Sequence, residues 1–284
     1  MRNILLFTGN GRGAEALAKK ALRIARQCKA NLLLCNYSEN IVKEKELVPH
    51  FEDELITGAE SFKDVEELAS QLAFEKPGTE TVTKINCLQL NDLNQNAIRE
   101  MVIQHNIWLI IMDDQMAQFK SDHSDDSALK IMNNLNCPVL LVPEQAQFTG
   151  ISKIAYVTDL RYCDLGVIRF LKVFNTPIFV THISAPGLPD LEERYAQEIL
   201  AEVVSVKSNY WKIFLRNIKS KNIHGPINTV FEALEIKMLA FVNKKHQTLE
   251  RLFDNFPQKT EVYHNVPTLI FPYLNWFNQA SFYN

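Results

Sequence analysis

The sequence predicts an α/β protein made of two tandem copies of one unit, each a five-stranded parallel sheet sandwiched between helices. The first observation is a phrase that occurs twice: Asn, any residue, Pro, four apolar residues, Pro, at Asn136–Pro143 and again 129 positions later at Asn265–Pro272. The second is the alternation of short apolar runs with helical patterns, which also occurs twice. The third is length, because 284 residues suffice for two ordinary domains.

The first copy begins with a buried strand at Asn3–Thr8. A glycine-rich loop follows, and then a helix whose apolar residues recur at steps of three and four. Its basic side chains are expected on the opposite, exposed face: Lys19, Lys20, Arg23 and Arg26. The other elements of this copy are expected as strands at 31–37, 80–90, 108–112 and 139–142, helices at 54–74 and 93–104, and a polar loop and helix over 113–135.

The second copy repeats this order. Strands are expected at 153–158, 177–184, 210–218, 237–242 and 268–271, with helices at 165–174, 191–206 and 227–234. Equivalent residues are 150 positions apart in the first strand, 146 in the second, 130 in the fourth and 129 in the closing strand. We therefore expect domains at 1–145 and 152–272, followed by an aromatic tail at 273–284 that packs on the body. A single continuous sheet, or two halves of unlike topology, would contradict this duplication.

Composition limits the classes of function. The chain is 46% hydrophobic and 22% charged, as in soluble globular proteins, and a net charge of -3 gives no reason to expect a nucleic-acid or membrane partner. Five scattered cysteines without Cys-x-x-Cys spacing predict neither a disulfide framework nor a zinc site. These features favour the cytoplasm.

In this order of parts the chain resembles the universal stress protein family, in its tandem two-domain form. The resemblance is carried by strands that end in Thr158-Asp159 and in Thr181-His182, by a fourth strand at Leu109–Met112, and by the repeated closing phrase. It implies an open, Rossmann-like sheet related to adenine-nucleotide-binding folds, in which members pair through the last strand. In a tandem chain, Val139–Val142 and Thr268–Phe271 are then expected to pair, which relates the halves by a pseudo-two-fold axis. A homodimer is left open.

The resemblance also locates a phosphate cradle. Members that bind ATP carry Gly-x-x-Gly, nine residues, then Gly-Ser/Thr after the fourth strand, where glycines let backbone N–H groups approach phosphates. In the first half the three glycine positions hold Asp113, Met116 and Asp126, and Ser127 supplies the hydroxyl. Each carboxylate near a polyphosphate costs roughly 1 kcal/mol or more, even when screened.

The second half also departs from the cradle, because its first two glycine positions hold Asn243 and His246. The acidic residue expected after the first strand is present as Asp159, whereas the first half has Gly9 there. The resemblance therefore implies two vestigial nucleotide pockets at the strand ends. Their residues are Thr8, Gly9, Cys35, Met112, Asp113, Ser127, Thr158, Asp159, Thr181, Val242, Asn243 and Lys244.

Three other motifs allow different interpretations. The loop Gly9–Ala14 satisfies a loose dinucleotide fingerprint, with Glu39 near the place of a ribose-binding acid, but the second copy has no glycine there, which favours a simple turn. Asp122–Asp126 offers oxygen ligands without the spacing of a calcium loop. His182 has no nucleophile placed beside it by any motif, so a packed or hydrogen-bonded histidine is expected.

We therefore expect a cytoplasmic universal-stress-type protein that acts as a non-catalytic binding or regulatory module, with no catalytic residue, metal ligand or cofactor assigned. The alternative is an adenine-nucleotide protein that binds ATP or AMP and hydrolyses ATP slowly in one lobe, through Asp159 and the loop Lys244–His246. A Rossmann oxidoreductase using Gly9–Ala14 is the third hypothesis. Expected partners are a small nucleotide or another protein.

Overall fold

The structure is a computed structural model, and it describes residues 2–8, 13–36, 58–74, 83–88, 95–113, 137–146, 148–158, 165–184, 192, 194–195, 198, 201, 209–219, 234–243 and 266–272. The strands among these residues are β1 (Asn3–Thr8), β2 (Asn31–Asn36), β3 (Ile85–Leu88), β4 (Ile107–Asp113), β5 (Val139–Val142), β6 (Ile154–Val157), β7 (Ile178–Ser184), β8 (Ile213–Lys219), β9 (Met238–Asn243) and β10 (Thr268–Pro272). The helices are α1 (Ala14–Gln27), α2 (Gly58–Phe74), α3 (Gln95–Gln104) and α4 (Leu165–Leu171), the last extended by a 3-10 turn at Lys172–Phe174.

The strand order shows two copies of one topology. It reads β3-β2-β1-β4-β5-β10-β9-β6-β7-β8, so each half has the order 3-2-1-4-5 and the second half runs in the reverse direction across the sheet. Within each half all neighbouring strands are parallel. Because the apolar runs are buried on both faces, this is the α/β arrangement that the sequence predicted.

The two halves join through their closing strands, as the resemblance implied. β5 and β10 are antiparallel, with Thr268 opposite Leu141 and Ile270 opposite Val139. The ten strands consequently form one continuous sheet, so the expectation that a single continuous sheet would contradict the duplication is wrong. The continuity does not contradict the duplication, because the join is antiparallel and each side of it has the same strand order.

The sheet register corrects one offset. Val142 lies opposite Asp113, and Phe271, which is 129 positions after Val142, lies opposite Val242. Asp113 and Val242 are therefore equivalent, with an offset of 129, and the offset of 130 that paired Met112 with Val242 is wrong. Alternation of side chains along the strands gives the same answer, since Val242 packs in the cluster on one face and Met112 in the cluster on the other.

Left-handed residues repeat between the halves. Lys29 has φ 52° and Asn175, the equivalent residue after α4, has φ 53°. Asn106 and its equivalent Glu235 have φ values of 48° and 51°. The backbone thus repeats at the helix ends even where the side chains differ. Of the residue types at these four positions, asparagine enters the left-handed conformation most readily.

Two cores cover the two faces of the sheet. One cluster gathers side chains from both halves, including Leu22 of α1, Val65 of α2 and Phe170 of α4, and the other contains Ile98 and Met101 of α3. Within the first cluster, Trp108 from the first half stacks on Phe170 from the second, with ring centroids 4.1 Å apart. This shared packing ties the halves together beyond the β5–β10 contact.

Polar groups of α1 bind the segment that connects the halves. Lys20 Nζ donates to the carbonyls of Pro143 and Glu144 at 3.0 and 2.7 Å, and Arg23 Nη1 donates to the carbonyl of Phe148 at 2.7 Å. Gln27 Nε2 donates to the carbonyls of Ile151 and Phe174, and its Oε1 accepts from the Ile151 N–H. Lys20 and Arg23 lie on the polar face of α1, as expected, and they also bind the connecting segment, although Arg23 remains exposed.

Candidate functional site

The candidate site of each half lies where the strands end at the carboxyl edge of the sheet, the usual place for ligands in open α/β sheets. In the first half these are the ends of β1, β2 and β4, and in the second half the ends of β6, β7 and β9. The strand register brings Thr8 beside Asn36 and Val157 beside Thr181. The predicted strand-end residues of each half therefore lie at one edge.

In the first half the described side chains at the ends of β1 and β2 are buried. Thr8 is 2% exposed, and its Oγ1 donates a hydrogen bond of 3.4 Å to the carbonyl of Cys35. Cys35 is fully buried, and burial raises the pKa of its thiol to about 12. Asp113 is half-buried and places a carboxylate at this edge. A neutral thiol supplies no positive charge to a polyphosphate, and a carboxylate repels it.

In the second half the corresponding edge is richer in polar groups. The Thr158 N–H donates to the Thr181 carbonyl at 3.1 Å, and Thr181 Oγ1 donates to the carbonyl of Phe179 at 3.2 Å. His182 is 3% exposed, and its Nδ1 lies 3.4 Å from the Thr158 carbonyl oxygen. The contact with Thr158 makes His182 the buried, polar-contacting histidine that was expected.

Several predicted residues lie outside the described part of the chain: Gly9, Ser127, Asp159 and Lys244. Asn243 is described as the last residue of β9, without its side chain. Among the described candidates, Thr8, Cys35 and Asp113 share the edge of the first half, and Thr158, Thr181 and Val242 that of the second. Met112 packs on the opposite face of the sheet from Val242, the equivalent of Asp113.

The glycine-rich loop is described only at its last residue. Gly13 has φ −79°, a conformation open to any residue, and a Cβ added there would lie 3.5 Å from Glu144 Oε1, an ordinary contact. Nothing at Gly13 therefore requires glycine. The rest of the fingerprint and the acidic segment 122–126 lie outside the described residues, and within those residues no group of three or more potential ligands can hold a metal ion.

His182 was left out of the predicted set, although the sequence offered a signal for it. The offset of 146 that aligns the second strands also aligns His182 with Asn36, which lies beside Thr8 at the first site. Both halves thus place a nitrogen-bearing side chain type at this strand end. The internal repeat, read residue by residue, would have identified it.

Comparison with known proteins supports the fold. No family model and no curated protein matches the sequence. Among solved structures, a universal stress protein from Archaeoglobus fulgidus has a TM-score of 0.60 at 12% identity, covering 95% of this chain and 96% of its own. A candidate universal stress protein from Pseudomonas aeruginosa UCBPP-PA14 has a TM-score of 0.55 at 14% identity, with coverages of 96% and 93%.

A third structure, of a protein of unknown function from Pseudomonas aeruginosa PAO1, has a TM-score of 0.57 at 14% identity and covers 100% of this chain and 96% of its own. The chain therefore has the fold of the universal stress proteins, over nearly its whole length. No helix in the described residues is long and apolar enough to cross a membrane.

Proposed function

We propose that this chain is a tandem universal-stress-type protein, which works in the cytoplasm as a non-catalytic binding or regulatory module of the stress response. The fold supports the family, and the residues at the strand ends support the loss of nucleotide binding. Both halves keep the backbone of the edge and lack the groups that a phosphate cradle requires.

One observation carries the proposal. The resemblance places the first glycine of the cradle at Asp113 in the first half and at Asn243 in the second, and the register of β4, β5, β9 and β10 moves the second of these positions to Val242, the equivalent of Asp113. A side chain there keeps phosphate away from the backbone N–H groups, and Asp113 adds a negative charge. Val242 is 8% exposed and packs in the shared core, so it offers a ligand neither charge nor space.

Equilibrium dialysis with labelled ATP tests the proposal. We expect no stoichiometric binding in the micromolar range, either for the native chain or for Asp113→Asn, which removes the charge and keeps the shape. Stoichiometric micromolar binding by the native chain would contradict the loss of the sites. Binding gained in Asp113→Asn alone would show that repulsion, rather than the missing glycines, closes the first half.

An adenine-nucleotide function confined to the second half is the second candidate. It is favoured by the polar groups gathered at that edge, where Thr158, Thr181 and His182 are buried within hydrogen-bonding reach of backbone carbonyls. Slow release of phosphate from ATP, abolished in an Asp159→Ala, Lys244→Ala variant, would support it. Release that persists unchanged in that variant would rule this assignment out.

The proposal extends to assembly. β5 and β10 already pair with each other, so the strand through which the family is expected to dimerise has no free edge in the described sheet. We therefore expect the dimer-like unit to be complete within one chain. Light scattering during gel filtration should give the mass of a single chain, and a homodimer would require a different surface.

A further inference from the structure

The outer edge of the second half exposes aromatic rings. β8 is the last strand on that side of the described sheet, and no described strand pairs with its outer edge. Trp211, in the turn that leads into β8, is 83% exposed, and Phe214 within the strand is 42% exposed while stacking on Phe179 at 5.2 Å. Exposed aromatic residues on an unpaired strand edge are a surface that another chain can cover.

The main chain of β8 has groups directed outward. The Ile178 N–H donates to the Lys212 carbonyl at 2.9 Å, so the carbonyl of Lys212 points toward β7. Carbonyl direction alternates along a strand, so the N–H and carbonyl groups of Ile213 and Leu215 point away from β7. Arg216 Nη1 donates to the outward Leu215 carbonyl at 3.0 Å. An added strand would use these same groups.

Cations accompany the aromatic rings. The Arg216 guanidinium lies 5.8 Å from the centre of the Phe179 ring, and Lys212 Nζ lies 5.2 Å from that of Trp211. Lys212 Nζ also donates to the carbonyl and side-chain oxygens of Asn175. The ion pairs among the described residues do not involve Lys212 or Arg216. The edge is therefore positively charged in a chain whose net charge is -3.

The opposite edge of the sheet lacks this combination. β3 has the sequence Ile-Asn-Cys-Leu, without aromatic or charged residues, and its apolar side chains are partly covered. The lysine before the strand is shared, because Lys84 precedes β3 and its carbonyl accepts from the Leu32 N–H as that of Lys212 accepts from the Ile178 N–H. The aromatic rings and Arg216 are found at β8 and not in β3. Basic residues alone discourage self-association, but exposed Trp211 and Phe214 do not serve that purpose.

The positive charges at the outer edge of β8 favour one kind of binding partner over others. A second copy that pairs antiparallel through β8, centred on Arg216, would place Arg216 opposite Arg216 of the other copy, and like charges directly opposite are destabilising. Single-stranded nucleic acid would need more cations than the two whose contacts are described here to neutralise its phosphates, on a chain that is negative overall. An extended acidic peptide satisfies the cations and the free main-chain groups together.

We propose that the outer edge of β8 is a docking site for an extended acidic segment of another protein, which adds to the sheet as a further strand. The incoming strand carries an apolar residue between two acidic residues on one face. The apolar side chain covers Phe214, one carboxylate binds Arg216 and the other binds Lys212. An N–H of the incoming strand donates to the Leu215 carbonyl in place of Arg216 Nη1, so the guanidinium can bind the carboxylate. This site is separate from the strand ends, so it does not depend on the proposed loss of nucleotide binding.

Fluorescence anisotropy with a labelled peptide, Thr-Glu-Thr-Leu-Thr-Glu-Thr, tests the proposal on the full chain without nucleotide. We expect saturable binding that weakens with salt. Arg216→Glu should weaken binding at least tenfold, because it converts attraction into repulsion. Trp211→Ala, at an exposed position outside the strand, gives a second variant with an expected loss of several-fold. The matched control is Arg99→Glu on α3, an exposed charge reversal in the other half, which should leave binding within twofold.

Two further peptides separate the main-chain and charge contributions. A peptide with Lys in place of both Glu residues and one with alternate N-methylated amides should both lose binding. The proposal is overturned if the acidic peptide does not bind at millimolar concentration, if either control peptide binds equally well, or if Arg216→Glu has no effect. An oligothymidylate that binds and displaces the acidic peptide would instead assign the edge to nucleic acid.

Discussion

The two halves share a backbone and differ where their strands end. Cys35 near the end of β2 is replaced by Thr181 at the equivalent place in β7, and Asp113 at the end of β4 is replaced by Val242 in β9. The first half therefore combines a buried thiol with a carboxylate, and the second combines hydroxyl groups with an apolar side chain. This difference teaches that the duplicated fold constrains the strand interiors, while the residues at the edge are free to diverge.

A second difference lies at the opposite end of the strands. Trp108 in β4 is buried against Phe170, and the Arg2 guanidinium lies over it, 5.5 Å from the centre of the Trp108 ring. The equivalent residue before β9, Lys237, is exposed. The same backbone position is thus a contact between the halves in one copy and a surface residue in the other. Phe170 and Phe174 of the second half therefore pack against a tryptophan that the first half supplies.

Replacing Trp108 gives the largest expected effect. Trp108→Ala removes the ring that stacks on Phe170 and lies tilted against Phe174, and large-to-small changes of buried aromatics cost about 3–5 kcal/mol of unfolding free energy. Urea denaturation followed by circular dichroism measures the loss. The matched control is Trp211→Ala, at an exposed tryptophan, where we expect a change within about 0.5 kcal/mol.

The shape of that transition decides whether the halves depend on each other. A single transition shifted to lower urea concentration would show that the halves unfold together. Two separated transitions in Trp108→Ala would mean that the stack couples halves that are otherwise stable. Equal losses in the two tryptophan variants would contradict the comparison between buried Trp108 and exposed Trp211.

Cys35 in the first half should make the unfolding free energy depend on pH, whereas Thr181 at the equivalent position of the second half should not. Burial raises the pKa of Cys35 to about 12 from an ordinary value of 9.0. Above about pH 9 the unfolded thiol loses its proton while the folded thiol keeps it, so the unfolding free energy falls as pH rises, by up to about 1.4 kcal/mol per pH unit. Below pH 9 this contribution is fully present.

Exchange of the two equivalent residues tests this dependence. Between about pH 9 and 11, the unfolding free energy of Cys35→Thr should fall less steeply with pH than that of the native chain. The unfolding free energy of Thr181→Cys should fall more steeply. Burial also raises the pKa of Cys28 to about 12, so the unfolding free energy of every variant still falls with pH because of Cys28. Urea midpoints measured at a series of pH values check the prediction, and parallel curves for the native chain and Cys35→Thr would contradict it.

Most of the fold could be predicted from the sequence, because uninterrupted apolar runs specify buried strands. The strands Asn3–Thr8 and Val139–Val142 have the predicted bounds, and the repeated closing phrase located the contact between the halves. β8 begins at Ile213 rather than at the predicted Tyr210, since Tyr210 lies in a turn where its hydroxyl donates to the Thr176 carbonyl. Local pattern does not reveal such tertiary bonds.

The details of the site were harder to predict, for two physical reasons. A one-residue shift reverses the face of every side chain in a strand, and the apolar Met112 and Val242 could be aligned without any visible conflict in sequence. Helical periodicity identifies which residues of α1 are polar, but it does not show that Lys20 and Arg23 meet carbonyls more than a hundred residues away. Both facts depend on neighbours that are distant in the chain.

The smallest expected effect comes from the left-handed residue after α1. The Lys29 N–H donates to the Arg26 carbonyl and the Ala30 N–H to the Ala25 carbonyl, which is the hydrogen-bond pattern of a Schellman cap with Lys29 at the left-handed position. The second half has Asn175 at the equivalent place, with φ 53°. Because asparagine adopts this conformation more readily than lysine, Lys29→Asn should stabilise the chain by about 0.5–1 kcal/mol.

Urea denaturation against a matched control makes this last prediction decisive. Lys19→Asn introduces the same side chain into the interior of α1, where asparagine is a poorer helix former than lysine and where Lys19 pairs with Glu15, so it should lower stability by about 0.5 kcal/mol. Opposite signs for the two variants would show that the backbone of the cap, repeated between the halves, determines which residue fits. Destabilisation in Lys29→Asn would mean that the lysine side chain makes a contribution at that position that outweighs its conformational strain.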